Sequence, residues 1–569
     1  MSSSWPRVLI IGWDGADWSL LGPLLDEGHL PNLAALAARG VAAPLRSTRP
    51  PVTGPAWASF ATGLHPGHHG LLSWQLPLDE HFQRAWVDSR TVGRPCLWDW
   101  LTRAGLRSGV IGLPVTYPVA PLNGIMISGM LTPGLESPFI HPPELAAEFR
   151  ASFPAYPFDV DLQDVERDVV SLPGIRRYLA EVGAALRQRA GAVKWLWEQG
   201  PYDCVVVVFE TPDRLQHPFY QFVSGRPASP RADWQTAREL VLGVYRELDA
   251  ALGTLLERVD LAQTTVLMAS DHGFGPLRRD FYLTNWLVEA GYAAYAEARV
   301  ATRALLARAI RPFKRLLPAS WLRGGRASFA AYRQLDWSRT VAYPGLSTEE
   351  GVWINVRGRE PAGVVEPGAQ YERLRDEIGQ ALLALRDPLD GQPVITAIWR
   401  REELYDEPFC RRAADLVFRM ADGYRVVTER GEGALTADRE RLGKGIHRDR
   451  GLFLAAGRGV APGRLREEGQ GRRVGESPLI TGYVPHLVDV VPTALACLGV
   501  PVASQGLQGA EALDGRVLYE ILPGLAGEPT RGQEVEPEIS AADTGAAPAY
   551  SDAEAEVVRR RLAALGYLD

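Results

Sequence analysis

Four short apolar runs constrain this chain more than any other feature. "RVLIIGW" (7–13), "RSGVIGLP" (107–114), "DCVVVVFE" (203–210) and "TTVLMAS" (264–270) are each brief and rich in β-branched or aliphatic residues. That pattern reads as strand. A strand with no polar alternation has both faces buried, as in a parallel sheet covered on two sides. The segments between them read as helices. "LPNLAALAARG" (30–40) is ended by Gly40, and "WQTARELVLGVYRELDAALGTLLERV" (234–259) is long and amphipathic. Strands alternating with helices predict an α/β fold with a largely parallel central sheet. "EGVWINV" (350–356) and "PVITAIW" (393–399) read as further strands. "YERLRDEIGQALLALRD" (371–387) and "PHLVDVVPTALACLGV" (485–500) read as further helices, the last with Pro492 near a break.

The chain has 569 residues, enough for one large domain with insertions or for two to three units. Between 277 and 345 the strand–helix rhythm is interrupted by the basic, helix-like "RVATRALLARAIRPFKRLLPASWLRGG", read as an inserted cap. Residues 524–550 are rich in Gly, Pro, Ala and Glu and read as a linker. Residues 551–569 form a terminal amphipathic helix with Ser551 as its cap. The net charge of -7 argues against general nucleic-acid binding. The four cysteines are scattered, so neither a disulfide framework nor a zinc ribbon is indicated. No signal peptide and no apolar run long enough to span a bilayer stand out, and the expected compartment is the cytoplasm.

The chemistry sits just after the strands. "VLIIGW" runs into Asp14, "VVVVFE" is followed by Asp213 and His217, and "VLMAS" by Asp271 and His272. Parallel strands place their carboxyl ends on one edge, where open α/β sheets bind ligands. One Asp after a strand is usually a turn residue or a helix cap. Three carboxylates and two imidazoles delivered to one edge are harder to explain that way. Asp213 and His217 are four apart, so on a helical turn they face one ion. Mixed carboxylate and imidazole ligands suit Zn²⁺, Mn²⁺ or Fe better than Mg²⁺. His447, in the Gly-rich "GKGIHRDRG", is a further candidate whose plain alternative is a surface histidine. His65, His68 and His69 cluster in "HPGHHG" with no carboxylate beside them; His69 reads as structural and the other two are unassigned.

Thr53 lies between Pro51 and Gly54-Pro55, at or just before the helix "AWASFAT". Its plain role is a helix cap. Set beside metal-binding carboxylates it gains another: a divalent ion lowers the pKa of a hydroxyl, and a helix N-terminus favours anionic oxygens. Thr53 is then a nucleophile in two-metal phosphoryl transfer through a phosphothreonine.

The ordered set "GWDGADW", "PPVTGPAWASFATGLHPGHHG", "ETPDRLQH", "SDHGFG", "GIHRDRG" resembles the alkaline phosphatase superfamily, and within it the type I phosphodiesterase/nucleotide pyrophosphatase family. The resemblance covers most of residues 7 to 520. It implies a three-layer α/β/α catalytic domain over 5–523, with a mixed, mostly parallel sheet and the 277–345 helical cap inserted in it. It implies two divalent ions, zinc first and Mn²⁺ as the alternative. One would be held by Asp213, His217 and His447, the other by Asp14, Asp271, His272 and Thr53. The family carries an Asn that helps to bind a phosphate oxygen. Here "HHGLLSWQ" places Ser73-Trp74 in that region, so Trp74 and Lys444 are the candidate substrate contacts, with an ordinary surface lysine as the alternative for Lys444. No Cys begins the C-x-P-x-R pattern of a sulfatase. The expected activity is hydrolysis of a phosphodiester or pyrophosphate bond in a small phosphorylated substrate, a nucleotide being one candidate. A phosphomonoesterase or phosphomutase, or a non-catalytic binding protein on this fold, are the alternatives.

Overall fold

The computed structural model describes residues 6–160, 171–296, 334–431, 433–461, 463–466, 479–481, 483–501, 513–523 and 549–564. They form two compact units. The first comprises residues 1–71, 87–276 and 443–561; the second comprises 72–86, 277–442 and 562–569.

The first unit is built on a ten-stranded sheet. Its centre is β1 (Val8–Trp13), flanked by β6 (Cys204–Phe209) and β7 (Thr265–Ala269), both parallel to it. On one side β6 continues to β3 (Ser108–Ile111), β4 (Gly124–Ile127) and β5 (Ile140–His141). On the other, β7 pairs antiparallel with β17 (Arg450–Gly457), which pairs antiparallel with β2 (Gly40–Arg46). Then come β18 (Gly463–Arg466) and β19 (Leu479–Thr481). The sheet is thus mixed and mostly parallel, as the sequence predicts.

The reason for the unbroken apolar runs is visible in the core. Val8, Ile10, Val206, Val208, Leu267 and Ala269 point to one face, where they meet helices α3 (Thr53–Thr62), α4 (Leu97–Arg103) and α10 (Val490–Leu498). Their neighbours Leu9, Ile11, Val205, Val207, Val266 and Met268 are equally buried. Helices α2 (Pro31–Ala38), α5 (Leu172–Glu198) and α6 (Thr211–Val223) each pack against α7 (Trp234–Leu256). Both faces of these central strands therefore take mostly apolar side chains.

Three local details bear on the sequence reading. Gly40 begins β2 instead of ending α2, because a Cβ there would lie 2.0 Å from the Ala455 carbonyl oxygen across the ladder. Gly63 ends α3 in the left-handed conformation at φ +72°. Pro492 falls in the first turn of α10, where no intrahelical N–H is lost.

The second unit has its own core around Trp286, Tyr343, Trp353 and Phe418. Strands β10 (Ala342–Pro344), β11 (Gly351–Ile354), β13 (Leu416–Met420) and β12 (Ile395–Arg400) make an antiparallel sheet against which α9 (Ala369–Ala384) packs. A three-stranded sheet joins β14 (Tyr424–Val427), β9 (Arg279–Tyr282) and β15 (Thr436–Asp438). The 277–345 segment thus enters as strand β9, continues as α8 (Leu283–Glu289) and returns through β10. Most of its basic stretch, 297–333, lies outside the described residues, as does 524–548 of the linker. Helix α11 spans Asp552–Ala564, and 565–569 lie outside the described residues. Among the described residues, no helix is long and apolar enough to cross a membrane.

Candidate active site

Asp14 follows β1 directly, and its N–H donates to the Phe209 carbonyl at the end of β6 (3.0 Å). Asp213 and His217 lie one turn apart on α6, which begins right after β6. The Asp213 N–H donates to the Asp14 carbonyl (3.0 Å), tying the two strand ends together. Asp271 and His272 bridge β7 and β8 (Gly273–Pro276). His447 sits on β16 (Gly445–Arg448), which pairs antiparallel with β8 so that His447 opposes Phe274. Thr53 is the first residue of α3, and Val52 takes the capping position. All seven belong to the first unit.

Their donor atoms converge in two groups. In one, His272 Nε2 lies 3.2 Å from Thr53 Oγ1, 3.1 Å from Asp271 Oδ2 and 3.7 Å from Asp14 Oδ1. In the other, Asp213 Oδ1 lies 3.3 Å from both His217 Nε2 and His447 Nε2, and the two nitrogens are 2.9 Å apart. Among the described residues, two sets could hold an ion by proximity alone: Asp14 with Asp271 and His272, and Asp213 with His272 and His447. A tetrahedral ion with bonds of about 2.0–2.1 Å separates its ligands by about 3.3 Å. The separations here run from 2.9 to 3.7 Å around that value.

Three buried oxygens strengthen the fit. Asp14 Oδ1, Asp213 Oδ1 and Asp271 Oδ2 receive no hydrogen bond. Their sister oxygens are occupied. Trp57 Nε1 donates to Asp14 Oδ2 (3.1 Å), the Gly15 N–H to Asp271 Oδ1 (3.0 Å), and Arg214 Nη1 to Asp213 Oδ2. A buried carboxylate oxygen with no donor costs free energy that a cation recovers. The histidines are oriented to match. His447 Nδ1 lies 3.0 Å from the Pro51 carbonyl oxygen and His272 Nδ1 3.3 Å from that of Gly273. A proton on each Nδ1 leaves the Nε2 lone pairs facing the carboxylates.

The electrostatics describe a pocket short of positive charge. Burial, then Asp271 and Asp213, hold the Asp14 carboxyl well above the usual carboxylate range. Burial pushes Asp271 up to about 7. Burial opposes ionisation of Asp213 too, but His217 and Arg214 together hold its pKa well below the ordinary value. Burial, with His447 next to it, keeps His272 neutral, and burial lowers His447. Thr53, Asp14, Asp213, Asp271 and His272 are fully buried, whereas the His217 side chain is 27% exposed. Solvent therefore reaches the site on the His217 side.

Gly15 shows how tightly this is built. It adopts φ +69°, and a Cβ there would meet the Phe274 ring at 2.6 Å. His69 is buried against Ser59 Oγ (2.9 Å), and burial lowers its pKa to about 3. His68 meets a carboxylate after all: its Nδ1 is 2.8 Å from both oxygens of Asp514. Lys444 is half-buried, three residues before His447. Trp74 is fully buried within the second unit.

A mixed α/β sheet and the start of α3 thus bring carboxylates, imidazoles and a threonine hydroxyl together in two buried groups. The chain belongs to the type I phosphodiesterase/nucleotide pyrophosphatase family, whose model matches residues 8–451. It is accordingly a hydrolase acting on phosphoric ester bonds. Solved structures with which it aligns include phosphonoacetate hydrolase from Sinorhizobium meliloti 1021 in complex with phosphonoformate. Identity is 15%, coverage is 87% of this chain and 96% of that one, and the TM-score is 0.48. Human ectonucleotide pyrophosphatase/phosphodiesterase 5 aligns at 14% identity over 91% and 99% of the chains, TM-score 0.46. An inactive murine form of the same protein with AMP aligns at 13% over 88% and 97%, TM-score 0.45. A comparison with curated proteins finds no match.

Sequence reasoning missed Trp57, Arg214 and the Pro51 carbonyl. Trp57 carries a readable signal, since it stands one helical turn after Thr53. The other two hold the site through contacts that no spacing rule displays.

Proposed function

We propose that this protein cleaves a phosphodiester or pyrophosphate bond of a small phosphorylated substrate through a covalent phosphothreonine at Thr53, using two divalent ions, zinc first. The observation that carries the reading is the set of three buried, undonated oxygens on Asp14, Asp213 and Asp271, packed around Thr53 and three imidazoles. Asp14, Asp271, His272 and Thr53 would hold one ion; Asp213, His217 and His447 would hold the other. When bound, the ions supply positive charge that favours the threonine alkoxide, the phosphoryl oxygens and the leaving oxygen.

The chain's own residues do the rest. Thr53 Oγ gives up its proton to solvent and forms a bond to phosphorus as the leaving oxygen departs with its electron pair. The start of α3 aims backbone N–H groups at the anionic phosphoryl oxygens. Pro51 and Gly273 keep the His447 and His272 rings turned so that Nε2 faces inward. Water then attacks phosphorus, the Thr53–phosphorus bond breaks, and the hydroxyl is restored. The partial exposure of His217 puts leaving-group exit and water entry on that side. Lys444 remains our proposed substrate contact, whereas Trp74, fully buried within the second unit, offers no surface to a substrate.

The test is hydrolysis of a bis-p-nitrophenyl phosphodiester beside the matching monoester, with Zn²⁺ or Mn²⁺ added. The diester is expected to be preferred, and chelation to abolish turnover. Full turnover after chelation, or turnover of the monoester alone, would overturn the reading.

A further inference from the structure

Asp213 offers two oxygens, and the structure gives them different duties. Oδ1 faces His217 and His447. Oδ2 is taken by Arg214 Nη1. The same guanidinium turns its other edge to Asp159, with Nε 3.0 Å from Oδ1 and Nη2 3.1 Å from Oδ2. The side chains of Asp159, Arg214 and Asp213 are each at most 1% exposed. The backbone is held as well, since Tyr178 Oη donates to the Arg214 carbonyl (2.6 Å). A buried ion pair that served packing alone would need only Arg214 and Asp159. Here the rigid fork spans two carboxylates.

We infer that Arg214, clamped by Asp159, confines Asp213 to ligation through one oxygen and so selects a four-coordinate ion at the Asp213/His217/His447 group. This rests on the two-ion reading above. A guanidinium on one carboxylate oxygen competes with a cation for its lone pairs and so disfavours chelation through both oxygens. Three single-atom ligands then leave one open position, the arrangement of catalytic zinc. Mn²⁺ and Ca²⁺ favour more oxygen ligands, and two-oxygen chelation by Asp213 would serve them. Asp159 offsets part of the guanidinium charge, which limits repulsion of the ion by the clamp. Arg214 and Asp159 are positioning residues in this account.

The experiment replaces the ion with Co²⁺, whose visible absorption is intense in a tetrahedral field and weak at five or six coordinates. An Asp271→Asn background removes a ligand of the other group. Metal-free protein of that background receives one equivalent of Co²⁺, as do the same protein with Arg214→Gln/Asp159→Asn and with Arg214→Lys. Competition between Zn²⁺ and Mn²⁺ is titrated in parallel. The background protein should show the intense band. The double variant should lose it, and its preference for Zn²⁺ over Mn²⁺ should fall about tenfold or more. Arg214→Lys keeps the charge but not the fork, so it should show the same loss. Should the double variant not fold, as read by circular dichroism, the charge-balanced lysine variant decides alone. An intense band and an unchanged preference in Arg214→Lys overturn the inference. Failure of the background protein to bind Co²⁺ at all would instead count against the two-ion reading itself.

Discussion

Replacing Asp271 by Asn should make the metal-free protein more stable, not less. Asp271 is fully buried, its Oδ1 takes the Gly15 N–H at 3.0 Å, and its Oδ2 takes no hydrogen bond. Burial raises its pKa from an ordinary value near 4 to about 7. A raised carboxyl pKa costs nothing while the group is protonated, below about pH 4. The cost grows as pH rises towards 7 and is constant above. At about 1.4 kcal/mol per tenfold change, the ceiling is roughly 4 kcal/mol. Asn avoids it. Its oxygen keeps the Gly15 bond, and its NH₂ can donate to His272 Nε2, which lies 3.1 Å from the present Oδ2. Removing the Asp271 charge also relieves Asp14, whose carboxyl Asp271 helps to hold up. The assay is urea unfolding of chelator-stripped wild type and Asp271→Asn at pH 5 and pH 8. The variant should gain up to about 4 kcal/mol at pH 8, and the difference should shrink towards zero near pH 4. With saturating Zn²⁺ the gap should close, because only the wild type keeps the full ligand set and a ligand at a thousand times its Kd adds about 4 kcal/mol. A variant less stable than wild type at pH 8 without metal, or a difference that ignores pH, would refute the reasoning.

Other perturbations follow from the same geometry. Thr53→Ala should remove almost all turnover while metal content and melting temperature stay near wild type, and Thr53→Ser should retain measurable turnover; steady-state rates beside elemental analysis decide. Trp57→Phe deletes the donor to Asp14 Oδ2 and should lower metal affinity by about tenfold, measured by competition with a chromophoric chelator. Gly15→Ala forces a Cβ against Phe274 at a left-handed position and should disturb Asp14 and Asp271 together, read as loss of bound metal. Tyr550 is buried and stacks on Tyr117, so Tyr550→Ala should cost about 3 kcal/mol in urea unfolding.

What the sequence displays and what it conceals follow from how far each signal reaches. Strands β1, β6 and β7 are legible because burial on both faces demands unbroken apolar runs. Asp14, Asp213 and Asp271 are legible because parallel strands share an edge, and His217 because helical spacing puts it one turn from Asp213. His447 is not legible that way. It arrives through the pairing of β16 with β8, and only the order of the motifs points to it. Strand β9, "RDFY", hides behind charge: Asp280 on it is buried against Arg425 and Arg439, so a core strand reads as a polar loop. The Arg214–Asp159 clamp and the His68–Asp514 contact join residues 55 and 446 positions apart. Pairing at such distances is a property of the fold, and no local pattern records it.

The central claim is that phosphorus passes through Thr53, and the stereochemical course at phosphorus tests it most directly. A phosphorothioate diester of one hand is hydrolysed in ¹⁸O-water by the metal-loaded protein, and the configuration of the product is determined. Two in-line displacements, by Thr53 and then by water, give net retention. Net inversion would mean that water attacks the substrate in a single step, and would contradict the account.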